Sequence, residues 1–178
     1  MRILHAILSG GFYGSERYCI DLAIAQARAG HDVIVLVEDQ ASECAGQFRR
    51  SIAQAKSGAV RLIALPRHIP PWLQRPAAAV ILAVNRPEIV HTHLNPAARR
   101  IGAIAQRLRI PHVMTLHLDY DPREHAAIDG LVALHSKQVA QIPPDFAGQV
   151  TTVWNWLPSR VEAAFAQVRP YHQCAPLW

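Results

Sequence analysis

Residues 1–38, MRILHAILSGGFYGSERYCIDLAIAQARAGHDVIVLVE, constrain the fold more than any other part of the chain. Ile3 to Leu8 is a short apolar run, and Gly10, Gly11 and Gly14 break the chain just beyond it. Ser15 is placed to cap a helix whose apolar positions include Cys19, Leu22, Ala23 and Ile24. Gly30 stops that helix, and His31-Asp32 lead into the β-branched run Val33 to Val37. Strands that are apolar on both faces belong to parallel sheets covered by helices. Such sheets bind ligands beyond the carboxyl ends of their strands, where glycine lets the backbone approach and a helix N-terminus offers free N–H groups. Residues 9–17 are therefore the first candidate binding segment.

The same alternation continues. Ser42 to Lys56 suits a helix capped by Ser42, and Val60 to Leu65 a third strand closed by Pro66. Pro66, Pro70 and Pro71 exclude regular structure between them and open a helix from about Trp72 to Asn85, disturbed early by Pro76. Ile89 to His93 reads as a fourth strand, and Asn95-Pro96 starts a helix through about Arg107. Further strands are expected at His112 to Leu116, Ile128 to Leu134 and Val150 to Val153, with Ser136 capping a short helix before Pro143-Pro144. The result is an α/β class: a doubly wound, mainly parallel, Rossmann-like sheet of about seven strands with helices on both faces. Residues 1–157 form the expected domain. Over residues 158–178 a helix at Ser159 to Val168 and an irregular tail are expected.

A chain of 178 residues with 51% hydrophobic and 17% charged content has the composition of a globular domain with a substantial core. Its longest apolar stretch, Ala77 to Val84, is far too short to span a bilayer, and the N-terminus lacks the layout of a signal peptide. Cys19, Cys44 and Cys174 are widely spaced, offer no metal-binding spacing and fit a reducing cytoplasm. The net charge of +5 comes partly from Arg49-Arg50, Arg99-Arg100, Arg107 and Arg109 on expected helices, without the interleaved aromatics of base stacking. Solvated helix faces explain these arginines, or a basic surface facing anionic lipid. Nucleic acid is not an expected partner.

Three groups of residues can carry chemistry. The loop Ser9 to Arg17 is neither GxGxxG nor GxxxxGK[ST], so the dinucleotide and P-loop fingerprints are absent. Its glycines suit an anion or sugar lying close to the backbone, or simply a tight strand-to-helix turn. Glu16 fits the first turn of a helix on dipole grounds alone. His91 and His93 point to one side of the fourth strand, and His117 ends the fifth. Both strand ends lie on the ligand edge, where these histidines are either site residues or satisfied core groups. A zinc site from His91, His93 and His117 lacks a closely spaced fourth ligand, and no metal is expected. No G-x-S-x-G supports a serine nucleophile. Ser136 and Asn155 follow the sixth and seventh strands, as ligand contacts or as cap and turn residues.

Taken in order, these pieces resemble the N-terminal, acceptor-side domain of GT-B glycosyltransferases of glycosyltransferase family 4. Gly14-Ser15-Glu16-Arg17 is similar to the family's GG-x-E-R loop, and Ala29-Gly30-His31-Asp32-Val33 to its "GHeV" segment. Pro87 to His93 is similar to "PDvVHaH", Pro111 to His117 to "P-x-v-x-T-x-H", and Val153-Trp154-Asn155 sits at "v-x-N-G-v-d". The resemblance implies that Gly10, Gly11, Gly14, Ser15, Glu16 and Arg17 lie beside the phosphates and the acceptor. It places His117 against the transferred sugar as the catalytic residue, and His91, His93, Ser136 and Asn155 along the substrate cleft. It further implies retention of anomeric configuration by same-face displacement assisted by the leaving phosphate. A nucleotide-sugar serves as co-substrate, and no metal or other cofactor is needed.

Two departures stand out: Tyr13 replaces the usual first Gly of the loop pair, and Trp156 the Gly after Asn155. The family's donor-binding domain, with its paired glutamates, has no counterpart; Glu162 stands alone at that spacing, and the resemblance implies that residues 158–178 begin a linker to that absent domain. The expected function is therefore half of a glycosyltransferase acting on a saccharide or lipid-linked acceptor in surface polysaccharide or lipopolysaccharide synthesis. It would be cytoplasmic, either free or peripheral on the inner face of an anionic membrane, and inactive without a donor-binding domain or subunit. The competing class is a non-catalytic α/β module binding an anionic or sugar ligand.

Overall fold

The computed structural model describes residues 1–56, 60–65 and 70–154. Seven strands make one sheet: β1 (Arg2–Ile7), β2 (Asp32–Val37), β3 (Val60–Ala64), β4 (Ile89–His93), β5 (His112–Leu116), β6 (Gly130–Ala133) and β7 (Gln149–Thr152). All pairings are parallel, in the order β3-β2-β1-β4-β5-β6-β7. The chain winds outward from β1 to β3, then crosses back to β4 on the other side of β1. The carboxyl ends of β1 and β4 thus flank the point where the winding reverses, the usual ligand crevice of such sheets.

Alternation along each strand separates two cores. On one face Ile7, Val33, Val35 and Val37 pack against Cys19, Ile20, Ala23 and Ile24 of α1 (Gly14–Arg28). Cys44, Ala45 and Phe48 of α2 (Glu43–Ala55) complete that layer. On the other face Leu4, Ala6, Ile34, Leu36 and Val90 meet Ala78 and Leu82 of α3 (Pro71–Asn85), together with Ala97, Ile101 and Ala105. Phe48 is wholly buried, which contributes roughly 2–3 kcal/mol relative to leaving it in water.

Local chemistry sets most element ends. Ser42 caps α2, its hydroxyl accepting the Ala45 N–H at 3.1 Å as expected. Prolines open α3, and Arg86 ends it in a left-handed conformation (φ 46°). The helix expected from Asn95 to Arg107 is instead α4 (Asn95–Ala97), a π-helical segment (Ala98–Gly102) and α5 (Ala103–Arg107). At Gly102 the helix lies against the His112 ring, which a Cβ at that position would strike. The sixth strand is shorter than expected; just before it the Asp129 carboxylate accepts the His112 N–H at 2.8 Å. A short α6 (Pro122–His125), capped by Asp121, adds to the expected elements, whereas α7 (Ser136–Gln141) matches the expected short helix. Asn155, Trp156, Glu162 and the expected helix and tail beyond them lie outside the described residues.

Candidate active site

The glycine loop leaves β1 and enters α1 at the winding reversal, as the sequence implies, but Ser15 is not the cap. Tyr13 is the N-cap, and the Glu16 carboxylate accepts its N–H at 2.9 Å and the Ser15 hydroxyl at 3.0 Å. A side chain in the third helical position can reach back to the N-cap N–H in this way, while among the described residues no side chain caps the helical N–H groups themselves. Glu16 is buried, while Gly10 and Gly14 are exposed and Gly11 partly so. Arg17 lies over the Phe12 ring (5.2 Å) and 3.9 Å from Asp21; Phe12 in turn packs edge-on against Phe48, tying the loop to the core. Helix geometry leaves the Gly14, Ser15 and Glu16 N–H groups without carbonyl partners in α1. They form the positive end of a 15-residue helix at the crevice.

Behind this loop lies a buried imidazole cluster. Register places His5 of β1 beside His91 of β4, and His93 beside Thr115 of β5, all facing α1. His5 Nε2 donates to Gln26 Oε1 at 2.6 Å, and His5 Nδ1 lies 3.1 Å from His93 Nε2. His93 Nδ1 is 3.1 Å from His117 Nε2, and His91 Nε2 is 2.8 Å from Thr115 Oγ1. The Tyr18 hydroxyl also bonds Thr115, and its ring meets His117 edge-on at 5.3 Å. Burial lowers the pKa of His5 and His117 to about 4 and holds His91 and His93 well below the ordinary value. The nearby Glu16 charge opposes the effect at His117 without overcoming it. All four rings are neutral at pH 7.

The expected site residues divide accordingly. His117 stands at the crevice, partly exposed, in line with the glycine loop. His93 has no exposed surface and His91 almost none, so both reach the crevice through neighbours rather than directly. Ser136 is exposed in the first turn of α7, whose N-cap is His135, not Ser136; the His135 Nδ1 accepts the Gln138 N–H at 3.3 Å. Asn155 lies outside the described residues.

Other residues that shape this edge carried no local signal. His5 sits in an apolar strand and Gln26 in the last turn of α1, and only the β1–β4 register and the packing of α1 on it reveal them. Gln138 bonds the Leu134 N–H and the carbonyls of Leu116 and Leu118, stitching the ends of β5 and β6 together. His125 is buried, accepts the Asp121 N–H at 2.9 Å and bonds Asn95 Oδ1 at 3.2 Å. Leu94, directly after His93, has φ 69° and ψ 148°, a conformation that costs a non-glycine residue about 1–3 kcal/mol.

One ring nitrogen from each of His5, His91 and His93 lies within 4.8 Å of the others, close enough for three imidazoles to share an ion. Both nitrogens of His5 and of His93 are already engaged in hydrogen bonds. These three are not the trio of His91, His93 and His117 weighed from the sequence, in which His117 stands in place of His5. A recess lined by Met1, Arg2, Gly30, Asp32, Arg86 and Glu88 lies at the opposite, amino edge of the sheet and shares no residue with the crevice.

No curated protein matches the sequence. Solved structures do. A glycosyltransferase from Rickettsia africae superposes with a TM-score of 0.62 at 15% identity, covering 93% of this chain and 48% of that one. HepE from Anabaena, in complex with UDP-glucose, gives 0.60 at 17% identity, covering 94% and 49%. The lipopolysaccharide outer core galactosyltransferase WaaB gives 0.59 at 13% identity, covering 88% and 46%. At these identities the likeness establishes the fold, and this chain spans about half the length of each. The family model described as Glycosyltransferase Family 4 matches residues 12–163, most of the chain. The chain belongs to Glycosyltransferase Family 4.

Proposed function

We propose that this chain is the acceptor-side domain of a retaining glycosyltransferase that moves a sugar from a nucleotide-sugar to a saccharide or lipid-linked acceptor in surface polysaccharide or lipopolysaccharide synthesis. The observation that carries the reading is the meeting, at one crevice, of the α1 N-terminus and the partly exposed His117. The unpaired N–H groups of Gly14 and Ser15 and the Arg17 guanidinium stabilise charge that develops on a departing diphosphate. The glycines at 10, 11 and 14 let that group approach the main chain. His117, the catalytic residue, contacts the transferred sugar on the face from which the acceptor arrives, consistent with same-face displacement and retention. Ser136 and Asn155 are assigned to the acceptor cleft. No cofactor beyond the nucleotide-sugar is assigned.

The nucleotide-sugar is held by a second domain or subunit outside this chain, without which it does not turn over. The UDP-glucose bound by HepE supports the donor class, and the WaaB activity supports a surface-saccharide acceptor. The decisive experiment pairs this chain with a donor-binding domain and measures sugar transfer. Transfer should be lost on removing that domain, and should fall at least about a hundredfold in His117→Ala, a typical loss for one positioned group. Ligand binding without transfer in every such pairing would leave the non-catalytic module instead.

Membrane contact belongs to the same reading. Among the described residues no helix is long and apolar enough to cross a membrane. On α3, however, Trp72, Val80 and Val84 are 73%, 60% and 73% exposed, and the helix contains no acidic residue and one cation, Arg75. A helix apolar on its outer as well as its inner face calls for cover. An anionic inner-membrane surface, where a lipid-linked acceptor would reside, supplies it. Co-sedimentation with anionic vesicles, lost on Trp72→Ser with Val84→Ser, is the expected outcome; equal recovery of both proteins in the supernatant would remove this surface from the reading.

A further inference from the structure

The cluster behind His117 has a direction, set far from the crevice. Gln26 presents its carbonyl oxygen to His5 Nε2, and a carbonyl only accepts, so the proton is on His5 Nε2. A neutral imidazole carries one N–H; His5 Nδ1 is therefore a lone pair, and the 3.1 Å contact requires His93 Nε2 to donate. The same step repeats: His93 Nδ1 accepts, and His117 Nε2 donates to it at 3.1 Å. What remains is His117 Nδ1, an unprotonated acceptor with no hydrogen bond among the described residues, on a ring that is partly exposed. Burial keeps the rings of His5, His93 and His117 neutral, which the one-proton count requires.

We propose that Gln26, His5 and His93 form a tautomer lock that holds His117 with its proton on Nε2 and its Nδ1 lone pair facing the crevice, so that the ligand group bound there is a hydroxyl donor. The lock is not a proton wire. A proton arriving at His117 could pass ring to ring only as far as Gln26, whose amide oxygen is too weak a base to take it. The three inner residues are accordingly positioning residues, and they act through His117. The chemical consequence narrows the ligand. A phosphate oxygen placed against Nδ1 would set lone pair against lone pair, whereas a sugar or acceptor hydroxyl would donate into it. His117 therefore faces the sugar, and the diphosphate is left to the α1 N-terminus. The assignment of His117 to sugar transfer rests on the function proposed above; the tautomer itself does not.

Long-range proton–nitrogen NMR on this chain with labelled histidine reads the tautomer directly, without donor or acceptor. At neutral pH His117 should show a protonated Nε2 and an unprotonated Nδ1 as a single state. Gln26→Glu, which can only accept, should leave that pattern intact, and Gln26→Leu should convert it to a mixture of both tautomers. A wild-type His117 protonated on Nδ1, or an unaltered single tautomer in Gln26→Leu, overturns the lock. Because the wild-type spectrum alone is decisive, a variant that failed to fold would not shield the proposal. An Nε2–H tautomer in a protein that never transfers sugar would keep the lock and defeat the functional reading, so the two failures are distinguishable.

Discussion

The two edges of the sheet handle ionisable groups in opposite ways. At the amino edge Arg2 meets Asp32 at 2.7 Å, Arg61 meets the same carboxylate at 3.5 Å, and the Arg2 N–H bonds Glu88. These groups are charged and close to half exposed, and the Arg2 guanidinium holds the Asp32 carboxyl below its usual range. At the carboxyl edge His5, His91 and His93 are buried and neutral, and His117 is the one imidazole of this cluster that reaches the crevice. Solvated, paired charge costs little and contributes little. Buried, uncharged imidazoles are expensive to place, and they give each nitrogen a defined role as donor or acceptor. The lesson is that the density of charge is a poor guide to the site here; the marker is polarity carried into the core.

The largest difference between the edges should appear in acid. An unfolded histidine protonates near pH 6.5, but folded His5 and His117 do so only near 4. Between these values the unfolded state binds more protons, so stability is full above pH 6.5 and falls as the pH drops toward 4. For fully buried His5 alone the loss approaches about 3 kcal/mol. Denaturant titrations across this range check it, and a pH-independent midpoint would mean that the rings are not neutral as described.

Next comes His93→Ala, which leaves a cavity and strips partners from His5 and His117. It should cost about 3 kcal/mol, whereas Arg2→Ala at the amino edge should cost under about 1 kcal/mol and lose even that in high salt. Equal losses at the two positions would erase the contrast between the edges. The smallest effect is expected at Leu94→Gly. Relief of the φ 69° backbone offsets the lost packing against the α1 layer, leaving stability within about 1 kcal/mol of wild type.

The sheet was legible in the sequence because β2 (DVIVLV) and β1 are apolar on both faces, a pattern that few other folds accept. The position of the glycine loop and of His117 followed from strand ends alone. His5 was not legible: it interrupts an apolar strand without any local mark, and its partner His93 lies 88 residues away. Ser15 and Ser136 look like caps, yet Ser15 lies inside α1 behind the N-cap Tyr13, whose N–H the Glu16 carboxylate accepts, and the imidazole of His135 caps α7. The left-handed Leu94 and the π-helical turn beside His112 arise from tertiary contacts, at residues whose own preferences argue against them.

Sugar transfer by this chain joined to a donor-binding domain, compared across one substitution at each edge, is the most direct measurement. With His117→Ala at the carboxyl edge and Arg2→Ala at the amino edge, the expected result is a loss of at least about a hundredfold in the first and near-wild-type turnover in the second. Undiminished transfer by His117→Ala would contradict the placement of the active site at the carboxyl edge.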